Sequence, residues 1–182
     1  MFEQALDAAS TAAEKKVAVL DASLPRYLIL AVLAGAYVGL GIALIFAIGA
    51  PLAAANSPFT KTIMGASFGI ALSLVIVAGG ELFTGNAMLL PVSSFARRTT
   101  WGQLANLWGW SYLGNLVGSI GLAALLAASG AFANDPQRSF VEATAQAKMN
   151  LPFLAAFARR GNSFHCAISI ARFICAVKSP ES

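Results

Sequence analysis

The chain of 182 residues is strongly apolar, with 58% hydrophobic and 11% charged residues and a mean hydropathy of +0.71. A soluble domain carries about 25% charged residues, so this composition argues against a soluble fold. Long apolar runs, such as the uncharged residues 27–50, predict a polytopic α-helical membrane protein. The net charge of +4 does not indicate nucleic-acid binding, because the basic residues are few and scattered between apolar segments rather than gathered on one face.

The first 26 residues carry charges throughout and do not resemble a cleavable signal peptide. Apolar residues recur there at three- and four-residue steps, which predicts an amphipathic helix with Phe2, Leu6, Ala9, Ala13, Val17 and Leu20 on one face. Two interpretations stay open for this helix: it lies on the membrane surface, or it packs on the protein's own loops.

The first membrane span is predicted over residues 27–50, a stretch without any charge. About 20 apolar residues suffice to cross a bilayer, so this segment is long enough. Pro51 and the small, polar stretch AAANSPFTK, residues 53–61, predict its end. Gly35 and Gly39 form a G-x-x-x-G pair, which indicates either close helix packing in lipid or chance in a helix rich in glycine and alanine.

The second span is predicted over residues 62–92. A straight helix of about thirty residues would be about 45 Å long, which exceeds the hydrocarbon thickness. The segment is therefore tilted, bent or broken, and Gly79, Gly80 and Gly85, followed by Pro91, predict a break between residues 79 and 87.

The predicted break contains Glu81, which insertion scales would penalise by about 2.5–3.5 kcal/mol near the membrane centre. A broken helix persists in a membrane only against protein or a water-filled cavity, and a half-helix that starts there offers free N–H groups to an anion. We therefore predict a permeation site for a small anionic solute, with Glu81 outside solute contact because a carboxylate repels anions. The alternative is a glycine-hinged kink with a purely structural role.

The third span is predicted over residues 104–133 and contains a second G-x-x-x-G pair, Gly114 and Gly118. Residues 134–136 predict a turn, and a fourth, doubtful span begins near Pro152. The positive-inside rule places the lysine- and arginine-bearing N-terminal segment in the cytoplasm together with Arg97 and Arg98, and Lys61 outside.

Four motifs agree, in order and spacing, with a known family: AGAYVGLGIALIF, MGASFGIALSLVIVAGGELFTGN, RTTWGQL and LGNLVGS. Over residues 20–159 the chain resembles the formate–nitrite transporter family, most closely its nitrite-channel branch. The resemblance implies an all-α, aquaporin-like inverted repeat with a broken second helix, in a homopentamer of the bacterial inner membrane with cytoplasmic N-termini. It also implies passage of nitrite, formate or similar small monovalent anions. An enzyme is the weakest alternative, because the sequence shows no nucleophile–base pair, metal-ligand spacing or phosphate-binding loop, and no cofactor or bound metal is expected.

The resemblance also implies roles for individual residues. Thr84 would face the pore centre, with Phe83 beside it in the chain and also at the pore. Leu72 and Leu82 would form the apolar constriction toward the cytoplasm and Phe68 part of the opposite one. Lys148 would draw anions toward the pore. The residues expected to brace the loop of the broken helix are Gly80, Glu81, Gly85 and Asn86.

The resemblance ends after Arg159, so we divide the chain into an N-terminal helix (1–26), a first-half transporter domain (27–159) and a divergent tail (160–182). The missing second half suggests a truncated or frameshifted product, and the alternatives to a channel are a non-conducting fragment and a small membrane adaptor. His165, Cys166 and Cys175, all in the tail, are interpreted as ordinary structural residues.

Overall fold

The computed structural model describes residues 2–150, apart from the side chains of Phe2 and Lys148. It is helical, with seven helices over this range: α1 (Phe2–Ala22), α2 (Leu24–Ala54), α3 (Thr60–Ser67), α4 (Gly69–Ala78), α5 (Phe83–Phe95), α6 (Trp101–Ala128) and α7 (Gln137–Met149). The chain forms two compact units, Met1–Phe140 and Val141–Ser182, and only residues 141–150 of the second are described. The doubtful fourth span and the residues of the tail lie outside the described range.

Three described segments are long and apolar enough to cross a membrane: Leu24–Ala54, Thr60–Ala78 and Trp101–Ala128. They confirm the three predicted spans and a multi-pass membrane protein. Pro51 itself does not end the first span: α2 continues three residues further and ends at Ala54, inside the small, polar stretch that was predicted to end it. A proline removes one backbone hydrogen bond and crowds the preceding turn, and so close to a helix end the chain can keep its helical path.

The two G-x-x-x-G pairs bring α2 and α6 into close contact. A side chain on Gly35 would collide with the backbone of Asn115, and one on Gly118 would collide with the carbonyl oxygen of Val32. A Cβ atom on Gly39 would come within 2.7 Å of Cδ2 of Leu122. The pairs are therefore packing positions rather than chance, as expected where small residues let membrane helices approach.

The apolar face of α1 packs against the rest of the first unit. Ala13, Val17 and Leu20 are buried in one cluster with Tyr27 of α2, and the cluster also includes Leu90 of α5 and two leucines of α6, Leu104 and Leu107. Among the helices, α1 makes its main contact with α5. Of the two interpretations of this helix, packing on the protein itself is the one that the structure supports, although the partners are helices rather than loops.

Candidate functional site

The second span is broken at the position that Gly79 and Gly80 predicted. α4 ends at Ala78 and is capped by Gly79, which adopts a left-handed conformation with φ of 76°. The N–H of Gly80 closes the turn by donating to the carbonyl of Val75 at 2.9 Å. The chain is not helical again until Phe83. The break is confirmed but shorter than predicted: Gly85 and Asn86 lie in the first turn of α5, because the backbone N–H of Asn86 already bonds the carbonyl of Leu82.

Three backbone groups of the break are bonded by the two long spanning helices. The N–H of Glu81 donates to the carbonyl of Leu30 on α2 at 3.1 Å. Asn115 on α6 bonds the other two and also α2: its Oδ1 accepts from the N–H of Phe83, and its Nδ2 donates to the carbonyls of Glu81 and Ala31, all at 2.9 Å. Since buried backbone groups must be paired in a membrane, these bonds explain how an irregular segment persists inside the bundle.

The Glu81 carboxylate is paired rather than isolated. Its Oε2 lies 2.7 Å from Nζ of Lys16 on α1, and the Lys16 and Glu81 side chains are only 22% and 12% exposed. Lys16 belongs to the basic N-terminal segment and was expected only to favour its cytoplasmic placement, so its pairing with Glu81 was not predicted. The signal was present, because Lys16 follows Ala13 by three residues and precedes Leu20 by four, which places a cation on the apolar face of its helix.

Asn86 and Phe83 connect the first turn of α5 to the neighbouring helices. Asn86 is fully buried; its Nδ2 donates to the hydroxyl of Tyr27 at 3.1 Å, and its backbone carbonyl accepts from Nε1 of Trp108 at 3.3 Å. The Phe83 ring packs edge-on against the rings of Trp108 and Tyr112, with centroids 5.9 and 5.7 Å away. Phe83 is thus held against α6, and its place beside a pathway stays a prediction.

Thr84 is the exposed polar residue at this helix start. Within the described range, neither its hydroxyl nor the N–H groups of Thr84 and Gly85 have a hydrogen-bond partner. Unpaired N–H groups are normal at a helix N-terminus, where the partial positive charge of the helix dipole also lies. The arrangement can therefore donate three hydrogen bonds to a small acceptor.

The other predicted site residues are spread along the span. Phe68, between α3 and α4, and Leu72, on α4, are 44% and 54% exposed, whereas Leu82 is half-buried beside the break. Helices α4 and α5 make no substantial contact with each other, so the structure does not bring Phe68 and Leu72 onto Thr84. Lys148 lies in α7, in the second unit, and its side chain is outside the description.

A second polar cluster joins α1 to the loop after α5. Arg98 donates from Nε and a terminal nitrogen to the two carboxylate oxygens of Glu14 at 2.9 and 2.8 Å, and also contacts Asp7. The hydrogen bonds that Arg98 donates to Glu14, and then to Asp7, raise the pKa of Arg98 above its ordinary value. Arg97 beside it is exposed, with φ of 59°. Arg98 thus has a structural partner in addition to any role in topology.

Comparison with known proteins agrees with the motifs. The family model described as formate/nitrite transporter matches residues 3–176, a wider range than the residues 20–159 over which the sequence resembles the family. The nitrite transporter NirC of Escherichia coli K12 is 41% identical over 143 residues, which cover 78% of this chain and 52% of that protein. The uncharacterized transporter YwcJ of Bacillus subtilis is 33% identical over 159 residues, covering 87% of this chain and 62% of its own length.

A solved structure of an FNT family ion channel superimposes with a TM-score of 0.76 at 36% identity, over 82% of this chain and 59% of that one. The chain therefore spans about half to three fifths of the length of the proteins it matches. The likeness includes the sequence motifs and the helical fold. On these grounds the chain belongs to the formate/nitrite transporter family.

Proposed function

We propose that this chain forms the Thr84 side of a transmembrane pathway for small monovalent anions such as nitrite and formate. The observation that carries the proposal is the exposed start of α5, where the Thr84 hydroxyl and two backbone N–H groups have no partner among the described residues. An anion that leaves water must find replacement donors, and helix N-termini supply them in broken membrane helices.

The charge balance around the break favours the same proposal. A lone carboxylate at Glu81 would repel an anion, but its pairing with Lys16 offsets that charge locally. The Asn115 bonds occupy the carbonyl of Glu81, so this acceptor is already engaged, while the N–H groups of Thr84 and Gly85 stay available. The start of α5 thus keeps two backbone donors available, next to a carbonyl that is already occupied.

The proposal also includes two apolar constrictions, a basic residue that attracts anions, the oligomeric state and the orientation in the membrane. Phe68, Leu72 and Leu82 would line narrow apolar sections that strip water from the solute, and Lys148 would raise the local concentration of anions. We further propose that the protein works as a homopentamer in the bacterial inner membrane with its N-terminus in the cytoplasm. The support for the orientation is the charge of the N-terminal segment and of Arg97 and Arg98.

The experiment is nitrite and formate uptake by proteoliposomes that contain this chain. Thr84→Val removes the hydroxyl and keeps the side-chain shape, so we expect uptake to fall about tenfold, as for the loss of one useful hydrogen bond. Thr84→Ser should retain most uptake. Ser73→Ala is the matched control, because its hydroxyl bonds only its own helix, at the carbonyl of Gly69. Uptake equal to that of empty liposomes, or unaffected by Thr84→Val, would contradict the proposal.

A further inference from the structure

Asn115 is placed where one side chain can control the position of the break. It lies about halfway along the 28-residue helix α6 and bonds three backbone groups outside that helix. The Phe83 N–H and the Glu81 carbonyl stand on either side of Leu82, immediately before Thr84. The third partner, the carbonyl of Ala31, belongs to α2. We infer that Asn115 is the positioning residue for Thr84, an inference that rests on the pathway proposed above.

The hydrogen-bond chemistry requires an amide at this position. The Oδ1 atom accepts from the N–H of Phe83, and the Nδ2 atom uses its two protons for the carbonyls of Glu81 and Ala31. An aspartate can accept but cannot donate, so it would face two carbonyl oxygens with a negative charge. A leucine would leave all three backbone groups unpaired in a water-poor environment, where such groups are costly.

The bond to Phe83 also acts as a helix cap. Helix α5 begins after Leu82, whose side chain cannot cap, so the first N–H of the helix takes its acceptor from Asn115 on another helix. Capping from a neighbouring helix fixes both where α5 starts and how its first turn faces α6. The position of Thr84, the next residue, is set in the same way. Among the described residues its own N–H has no partner, so it is available to a solute.

Close helix packing holds Asn115 itself in place. A side chain on Gly35 would overlap the Asn115 backbone, and Gly114 approaches Ala31 in the same way. One turn later, the hydroxyl of Ser119 donates to the carbonyl of Asn115 at 2.8 Å and lies 3.2 Å from the carbonyl of Gly35. The amide therefore reaches the break from a backbone that has little freedom to shift.

The experiment measures where residue 84 is, independently of transport. In the full chain with Cys166 and Cys175 replaced by serine, Thr84→Cys reports the position through its rate of reaction with a small charged methanethiosulfonate. We expect Asn115→Leu and Asn115→Asp each to change that rate about tenfold, the scale of one lost buried hydrogen bond. Leu104→Ala is the control, because it truncates a buried core residue of the same helix without touching the break.

The outcomes separate this inference from the proposed function. An unchanged reaction rate at position 84 in both Asn115 variants, or an equal change in Leu104→Ala, would overturn the positioning role whatever the uptake shows. Suppose that the Asn115 variants change the reaction rate at position 84, and that the same variants with Thr84 unchanged also change the ratio of nitrite to formate uptake. That result would support both the positioning role and the proposed pathway. A changed rate without any uptake by the parent protein would leave the positioning role standing and reject the pathway.

Discussion

Lys16 and Glu81 form an ion pair between α1 and the break, and each is mostly shielded from water. A buried pair is costly to disrupt on one side only, because the remaining charge keeps its desolvation cost and loses its partner. The pair therefore couples the position of the N-terminal helix to the break that precedes Thr84. It also explains how a carboxylate is tolerated within an apolar span.

At this pair, Lys16→Met should lower the free energy of unfolding by about 1–3 kcal/mol, the usual cost of an unpaired buried polar group. The double variant Lys16→Met with Glu81→Gln should recover part of that loss, because no uncompensated charge remains. Lys15→Met, at the exposed neighbouring position, is the control. Thermal unfolding in detergent measures all three, and an effect of Lys16→Met no larger than that of Lys15→Met would contradict the prediction.

The sequence predicted the break in the second span, but it did not predict which side chains bond to the break, and this difference has a physical reason. The adjacent glycines Gly79 and Gly80 predict a break, because glycine adopts a left-handed conformation at low cost, as Gly79 does with φ of 76°. Partners of polar side chains are different, since Asn115 and Lys16 bond groups 34 and 65 residues away along the chain. Sequence shows that a buried amide needs partners, but the packing of three helices decides which ones it finds.

At the level of elements, the contact between α2 and α6 organises the spanning part of the first unit. It is the most extensive helix pair among the described residues, and the glycines set its distance. Lipid provides no hydrophobic force between helices, so the free energy of this contact comes from close packing and from bonds such as Asn115 to Ala31. Any side chain that separates the two backbones weakens both contributions together.

Gly118→Ala should therefore destabilise the protein, since the added methyl group would collide with the carbonyl oxygen of Val32. Overpacked contacts cost about 1–3 kcal/mol, and we expect a loss within that range. Gly121→Ala is the matched control on the same helix, because a Cβ atom there meets open space. Unfolding temperatures in detergent compare the two, and equal values would show that the backbones have room to separate.

The docking of α1 depends on a second contact, between Arg98 and the carboxylates of Glu14 and Asp7. The cluster is exposed, so salt screens it and its strength should fall with ionic strength. We expect Arg98→Ala to speed tryptic cleavage after Lys15 at low salt, and high salt to produce a similar acceleration in the unmodified protein. Arg26→Ala, which removes an exposed arginine without a side-chain partner in the described range, should leave the rate unchanged.

At the scale of the molecule, three segments are long and apolar enough to cross a membrane. If each crosses once, α2, the broken second span and α6 place successive loops on alternate sides. The residues around Ala55 and Ala131 should then share one side, and Arg97 should lie on the other. The sequence predicted these three crossings from apolar length alone, whereas their direction rests only on the distribution of lysine and arginine.

Single cysteines at Ala55, Arg97 and Ala131, with Cys166 and Cys175 replaced by serine, test the arrangement in intact cells. If Arg97 and Arg98 hold their loop in the cytoplasm, a membrane-impermeant maleimide added outside should label positions 55 and 131, and position 97 only after the membrane is permeabilised. Arg97 already has φ of 59°, so the cysteine adds no new backbone strain there. Labelling of position 97 alone would reverse the orientation. Labelling of positions 55 and 97, but not 131, from outside would mean that the second span, despite its length, enters and leaves by the same face.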